Sequence, residues 1–535
     1  MVQKAATMSN ILKLKNLGDF GVNTDLDNVE LPPETFSSGR NFKLKDSRIE
    51  TFNGYRGATA SPLTTDSNAK IFRHKIAEPF VATTRDSYIV LGSTKVYLVT
   101  GTVWTDVTPT GMAAIPATDT HLWSFCHSGS VAMINHPALG PFYLNETLVQ
   151  FVKLPYSPTQ DWTAHGYYPG LLRSHKEFLF AFAPQNPAGT VIYPNTIDWS
   201  APSGKSGIPT TWDPLDLSTI AGEVSLSGNG QYIVDALSLR DQLVIYSRNS
   251  IDGMIYVGGD LIWNLRQFSS DTGLLAQDCV SEFFNKHLFI TDGDILINDG
   301  NSLNSILDRK LRKSIFSNID SVSYDKSFTA VNYVDNEVWA CLPETGNAYP
   351  NLAVVYNWLT GAVYLRDMPL NAMFASTGSS TQSAAPVWSN DLSNWDNNQR
   401  EWLYNPTSPF DATFMVVTSD GKLQNVLNND SASQPYDTIL ERLNVPLGGY
   451  GEVSSVKSIY PHIQCEGDVF ISAGSVLNLG EGVRWKDAVR FNPATQKKVD
   501  IRTTGVFQCW RIASDGFIPF QFSGMDIEYE INGRR

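Results

Sequence analysis

The chain has 535 residues, a formal net charge of −14 and only 18% charged side chains, against roughly 25% in an average globular chain. Its 11% aromatic content supplies large buried cores and excludes a disordered chain. The negative balance excludes a protein that grips phosphates through excess Lys and Arg, but suits a wall that DNA slides past.

Residues 1–60 read as an extended arm. The stretch from Asn16 to Gly57 is polar, rich in Gly and Asn, and carries Pro32 and Pro33; a proline pair rules out a long helix there. Such a segment can lie along a neighbouring chain, which makes Asn23, Pro32, Pro33 and Phe36 candidate partner contacts. No apolar run precedes it, so no secretory signal is expected.

Residues 61–436 carry short strands at a regular beat. The first group is Phe80–Thr84, Tyr88–Gly92, Lys95–Gly101 and Val103–Thr108. Then follow Trp123–His127, Val131–Asn135, Pro141–Asn145 and Val149–Leu154; next Leu171–Arg173, Phe178–Ala183 and Val191–Trp199. A fourth group holds Ile233–Ser238, Gln242–Ser247, Gly253–Gly258 and Trp263–Phe268, and a fifth Ala276–Phe284, His287–Thr291 and Asp294–Asn298. A sixth runs Ser321–Tyr324, Ser327–Tyr333, Glu337–Leu342, Ala353–Trp358 and Ala362–Leu365. Ala412–Thr418 and Lys422–Val426 complete or close the array. A period of about 40 to 50 residues with four antiparallel strands is the rhythm of a β-propeller of about six or seven blades. A stack of β-sandwiches gives a similar beat.

Ser302–Ile319 is the expected helix. Ile306, Leu307, Leu311, Ile315 and Ile319 recur at helical spacing, and Arg309, Lys310, Arg312 and Lys313 take the other face, a solvated face or a dock for an acidic neighbour. Gln185–Gly207 and Ser376–Asn405 read as surface insertions, the second with isolated Trp388 and Trp395. Long loops on a rigid scaffold are where binding concentrates. Residues 437–535 form a small C-terminal β-domain, with strands at Val453–Cys465, Val469–Ala473, Val489–Phe491, Lys498–Arg502, Phe507–Ile512, Phe520–Phe522 and Met525–Ile531.

The chemistry-bearing residues form no recognisable catalytic set. Five separated cysteines within apolar runs read as buried free thiols. The eight histidines show no zinc spacing. No Gly-x-Ser-x-Gly elbow, phosphate-binding glycine loop or repeated Ser-x-Asp box occurs. Asp292 and Asp294, with Asp299-Gly300, read as two tight turns flanking one strand. No run approaches 18 apolar residues, so no membrane insertion is expected. No metal, cofactor or enzymatic activity is assigned.

Gly21-Val-Asn23, Leu31-Pro32-Pro33-Glu34-Thr35-Phe36-Ser37, Asn41 and the hairpin Lys45-Asp46-Ser47-Arg48-Ile49-Glu50 resemble the opening of tail proteins of short-tailed bacteriophages. Phe491-Asn-Pro493, Lys498-Val-Asp500, Arg502, Gly505, Arg511, Gly524-Met-Asp526-Ile-Glu528-Tyr and Gly533-Arg534-Arg535 are similar to the far end of the same proteins, and Gly273–Gly300 to their hairpins. Val506 departs from the Arg expected after the glycine. The resemblance implies a virion protein made in the host cytoplasm, forming the hub or nozzle of the tail. It implies a six-fold homo-oligomeric ring that docks to a head–tail adaptor protein, passes DNA as cargo, and seats tail fibres or spikes. Two other readings stand beside it: a receptor-binding fibre or spike that recognises surface glycan through Trp388 and Trp395, and a propeller glycosidase, which needs two carboxylates about 5 to 10 Å apart.

Overall fold

A computed structural model describes residues 10–534 apart from 53, 60–61, 64–65, 67, 77–84, 101–102, 227–231, 260–261, 309, 380–411, 427–435 and 515–517. The protein is all-β: strands hold 52% of the chain and helices 4%.

Seven sheets are four-stranded antiparallel meanders. The first contains Lys70–Ile76, Arg85–Leu91, Val96–Thr100 and Val103–Asp106. The second contains Ser124–Ser128, Val131–His136, Gly140–Leu144 and Val152–Lys153; the third Leu171–His175, Phe178–Phe182, Thr196–Trp199 and Gly222–Ser225. The fourth has Ile233–Leu239, Gln242–Ser247, Ile251–Tyr256 and Trp263–Ser269. The fifth has Val280–Phe283, Lys286–Ile290, Ile295–Asn298 and Leu303–Ser305, and the sixth Phe328–Asn332, Glu337–Leu342, Leu352–Asn357 and Val363–Asp367. The seventh joins Ala372–Ser379, Ala412–Thr418 and Leu423–Val426 to Tyr55–Thr59 from the other end of the chain.

Burial grades across each sheet. Second strands are covered on both faces: every residue of Phe178–Phe182 and of Glu337–Leu342 is buried. This is why Phe178–Phe182 and Val338–Leu342 read as continuous apolar runs without alternation. Fourth strands such as Val103–Asp106 and Gly222–Ser225 are largely exposed. The first strand of each sheet touches the first strand of the next, and the seventh returns to the first. Between the first and second sheets that contact is a stacked Phe72–Phe125 pair, with ring centroids 4.9 Å apart.

The arm expected at residues 1–60 is not free. Asn10–Lys15 pairs with Gly524–Tyr529, and Arg48–Thr51 with Gln521–Phe522. With Phe42–Lys45, Glu452–Cys465 and Val499–Gly505 these strands make one six-stranded sheet around Phe520–Arg534. Ser38–Arg40 joins Thr438–Pro446 in a second, with Phe507–Ser514, Val469–Val476, Arg484–Trp485 and Val489–Phe491. The physical reason lies in the arm's buried residues. Leu14, Phe36, Phe42, Ile49 and Phe52 are each at most 2% exposed, so the sparse apolar residues of this polar stretch belong to the protein's own core. The expected C-terminal domain is therefore a two-sheet unit built from both ends of the chain. It is tied to the sixth sheet: Asn41 donates to Asp367 Oδ2 at 2.6 Å and accepts from the Asp367 amide at 2.8 Å, while Arg40 pairs with Glu344. Asn41 holds this bidentate grip from a left-handed backbone (φ 63°), a region asparagine tolerates.

The expected helix Ser302–Ile319 is helical only over Arg312–Phe316; Leu303–Ser305 is a strand on the open edge of Ile295–Asn298. Leu307, Leu311 and Ile315 are buried as the periodicity demanded, but a turn and a short helix satisfy the same spacing. Ser321–Tyr324 is likewise no strand; it leads into a 3-10 turn at Tyr324–Lys326. Within Val191–Trp199 only Thr196–Trp199 is extended. The expected strand Phe80–Thr84 lies outside the described residues, and the sheet's first strand is the earlier Lys70–Ile76.

Candidate functional site

The first strands of the sheets bring charged residues together at the centre. Lys70, Arg173, Asp235 and Asp278, from the first, third and fourth sheets and the lead into the fifth, are at most 9% exposed. Arg173 donates from Nε and Nη2 to the two carboxylate oxygens of Asp235, both at 2.9 Å, and from Nη2 to Asp278 Oδ1 at 3.2 Å. The Lys70 ammonium pairs with Asp278 Oδ2 and donates to the Trp123 carbonyl at 3.3 Å. The Asp278 amide closes the circuit on Asp235 Oδ2 at 2.9 Å. Two cations and two carboxylates sum to zero, the condition under which charges remain buried. Burial by itself pulls the Arg173 guanidinium down; Asp235 and Asp278 more than reverse this and hold it above its ordinary value.

Imidazoles tie further seams. His287 Nε2 donates to the Ser238 carbonyl at 2.9 Å, so Nδ1 accepts from the Tyr246 hydroxyl at 2.9 Å, which itself accepts from Asn298 Nδ2 at 3.2 Å. His74 Nδ1 and His127 Nε2 meet at 2.9 Å across the first and second sheets. Burial pushes His127 and His287 down to about 4, so both are neutral near pH 7. A second buried ion pair sits in the sixth sheet. Arg366 donates to both oxygens of Glu337 at 3.2 and 3.0 Å under the ring of Phe52, whose centroid is 4.4 Å away.

Beside the central charge cluster opens a cavity of about 740 Å³, lined by residues that lead into the first strand of all seven sheets. On one side His121 Nδ1 donates to Asp119 Oδ1 at 2.6 Å and leaves Nε2 facing Gln185 Nε2 at 3.4 Å. From the fourth and sixth sheets come Arg248 and Tyr324, joined by a 2.8 Å hydrogen bond, and Lys326, whose ammonium lies 4.4 Å from the centre of the Tyr349 ring. Among the described residues no three His, Cys, Asp or Glu side chains gather as a metal site.

The contact residues expected from the sequence are scattered. Asn23 Oδ1 caps its own turn, accepting from the amides of Asp25 and Leu26. Pro32 is exposed and Pro33 half-buried. Phe36 is 2% exposed and sits in the core, which corrects its assignment to a partner surface. Arg312 is exposed, but donates to the Gly293 carbonyl at 2.7 Å and faces Asp294 at 3.4 Å; it clamps the turn between Lys286–Ile290 and Ile295–Asn298. That turn and the one at 299–302 flank a strand as read from the sequence, with Asp294 Oδ1 accepting from Ser305 and from the Ile295 amide. Arg309, Trp388 and Trp395 lie outside the described residues. On the face at 302–319 expected to be solvated or to dock an acidic neighbour, the side chains of Lys310, Arg312 and Lys313 are exposed, while Thr24 and Asp25 bond the backbone beneath, Asp25 accepting from the Lys313 amide and the Thr24 and Asp25 amides donating to the Lys310 carbonyl.

The structure offers a surface that the sequence did not single out. In the hairpin between Val280–Phe283 and Lys286–Ile290, Phe284 (φ 42°) and Asn285 (φ 56°) both have left-handed backbones. Asn or Gly is the usual occupant of such a turn, and a bulky side chain is strained there. Phe284 is nonetheless 67% exposed, with its ring 5.4 Å from Trp358. Tyr333 and Leu359, from hairpins of the sixth sheet, are 51% and 68% exposed beside it.

The chain matches no protein-family model, and no curated protein shows significant similarity to it.

Proposed function

We propose that the protein is a structural subunit of a short phage tail, a seven-bladed β-propeller carried on a two-sheet docking unit. The supporting observation is where the tail-like sequences fall. The stretches that resemble phage tail proteins lie some 470 residues apart in sequence, yet the strand Arg48–Thr51, which carries the end of the opening stretch, pairs with the strand Phe520–Arg534, which carries the last of the closing ones. Parts of a signature divided between the two ends become neighbouring strands of one sheet. The seven meanders with touching first strands, and the completion of the seventh by Tyr55–Thr59, support the propeller, because joining the chain's ends in one sheet closes a ring and removes its edges.

In this reading the chain works by holding and guiding. The two-sheet unit seats on the head–tail adaptor, copies of the chain surround the exit path of DNA, and the acidic balance keeps DNA from adhering. Phe284, Tyr333 and Leu359 are the contact offered to a neighbouring copy. An aromatic held exposed at a strained turn is costly to folding and is explained by a partner. The test is Phe284→Asn. It suits the turn better, so thermal stability is unchanged or raised, while ring formation on the adaptor, followed by electron microscopy, weakens at least tenfold in required concentration. Rings that form equally well from the variant refute the contact. A homogeneous six-fold ring supports the hub; trimers at the particle periphery point to a fibre or spike instead.

A further inference from the structure

Two cationic groups that line the cavity among the first strands, Arg248 and Lys326, stand outside its ion pairs. Lys70 and Asp278 neutralise each other within the buried cluster, and the Asp119 carboxylate is met by His121. Arg248 and Lys326 have no ion-pair partner among the described residues. Each is held in place by neutral groups: Arg248 by the Leu275 carbonyl and the Tyr324 hydroxyl, Lys326 by the Ala348 carbonyl at 3.0 Å. Donors remain on both, since a guanidinium has five N–H groups and an ammonium three. Asp325, between Tyr324 and Lys326 in the chain, is exposed and also lines the cavity.

The rest of the lining is amphipathic. Arg248 lies over the Tyr324 ring, 5.4 Å from its centre, and Lys326 over that of Tyr349 at 4.4 Å, so each cation is held against an aromatic ring. Across the cavity stand hydrogen-bonding groups of both signs, the Asp119–His121 pair and Gln185. Asn68 and Ser327, 4% and 1% exposed, each keep a side-chain polar atom without a hydrogen-bond partner. The volume lies within the range of about 300–1,000 Å³ usual for small-ligand sites.

The geometry points to a binding site for a carboxylated sugar. Arg248 and Lys326 take the carboxylate, a charge-assisted interaction that a guanidinium can make bidentate. The Tyr324 and Tyr349 rings, on the sides that the cations leave open, take the apolar side of the sugar, and Asp119, His121 and Gln185 take its hydroxyls. A peptide carboxylate would use the two cations but has no ring of hydroxyls to satisfy the opposite wall. The site does not depend on the tail reading, since it is formed within a single chain.

The test is calorimetric titration of the full chain with trigalacturonate, with N-acetylneuraminate, and with galactose and trigalactose as neutral controls. At least one acidic sugar binds and neither neutral sugar does. Arg248→Gln and Lys326→Ala each weaken binding at least tenfold, whereas Lys205→Ala, on a distant exposed turn, changes it less than twofold. Thermal melts show which of the three variants fold, and Lys326→Ala, which removes one carbonyl contact and one contact with the Tyr349 ring, decides the matter if Arg248→Gln does not fold. Failure of both acidic sugars to bind, equal affinity for acidic and neutral sugars, binding that survives Lys326→Ala, or binding of a glutamate tripeptide in their place would each overturn the assignment.

Discussion

Replacing Asp278 by Asn tests the central charge cluster with almost no change of shape. The carboxylate is 6% exposed and faces Lys70 at 3% and Arg173 at 9%. Asn removes one negative charge, so the cluster goes from neutral to a buried excess of +1, with Asp235 alone against two cations. Leaving a buried charge uncompensated costs about 3–5 kcal/mol. For 535 residues, an unfolding entropy of about 2.1 cal/mol/K per residue turns that into a fall of roughly 3–4 °C in Tm for a cooperative transition. Urea denaturation followed by tryptophan fluorescence gives the free energy directly. The diagnostic comparison is Lys70→Met with Asp278→Leu, which removes both charges of one pair. The double variant recovers most of the loss, because the remaining Arg173–Asp235 pair is neutral. An Asp278→Asn protein within about 0.5 kcal/mol of the parent, or a double variant whose loss is the sum of the single ones, refutes the argument that charge balance across the sheets holds the centre together.

His287 makes stability depend on pH with a defined sign. Its folded value, about 4, lies below the ordinary 6.5; the unfolded chain therefore takes up a proton that the folded one refuses. The stability present above pH 6.5 is lost progressively towards pH 4, by about 3 kcal/mol for this residue. His287→Gln flattens that part of a urea-midpoint-against-pH curve, and an unchanged slope would count against the neutral imidazole seam. Gly273→Ala unfolds or severely destabilises the protein, since an added Cβ would collide with the backbone of Ser247 and Arg248; a melt within 2 °C of the parent, roughly 2 kcal/mol on the same scale, rejects that close approach. Deleting residues 1–54 strips three strands from one six-stranded sheet and one from the other. It yields insoluble or protease-sensitive protein, and a soluble truncation that melts cooperatively at the parental temperature contradicts the interleaved unit.

Second strands were the most legible part of the fold. Phe178–Phe182 and Val338–Leu342 are apolar throughout because neighbours cover both faces, and such runs announce themselves. Fourth strands were less so. Gly222–Ser225 alternates between exposed and half-buried and resembles a loop, and Leu303–Ser305 was masked by the helical spacing of the residues after it. The role of the first 59 residues was illegible for a different reason. Their composition is that of a linker, and two of the few apolar residues that anchor them, Phe42 and Phe52, find the rings of Tyr364 and Trp339, partners far away in sequence that local pattern does not encode. The centre was hidden in the same way. Arg173 in LLRSH and Asp235 in IVDAL are charges inside apolar strands, a signal for a buried pair, but only the packing of the third sheet's first strand against the fourth's brings them within 2.9 Å.

The most direct measurement is a reconstruction of purified tail particles containing this chain, resolved well enough to place its seven sheets. Six copies on the particle axis, with the two-sheet unit against the adaptor and the ring of sheets around the DNA path, is the expected density. A peripheral appendage in three copies, or an axis built wholly from other chains, would contradict the assignment.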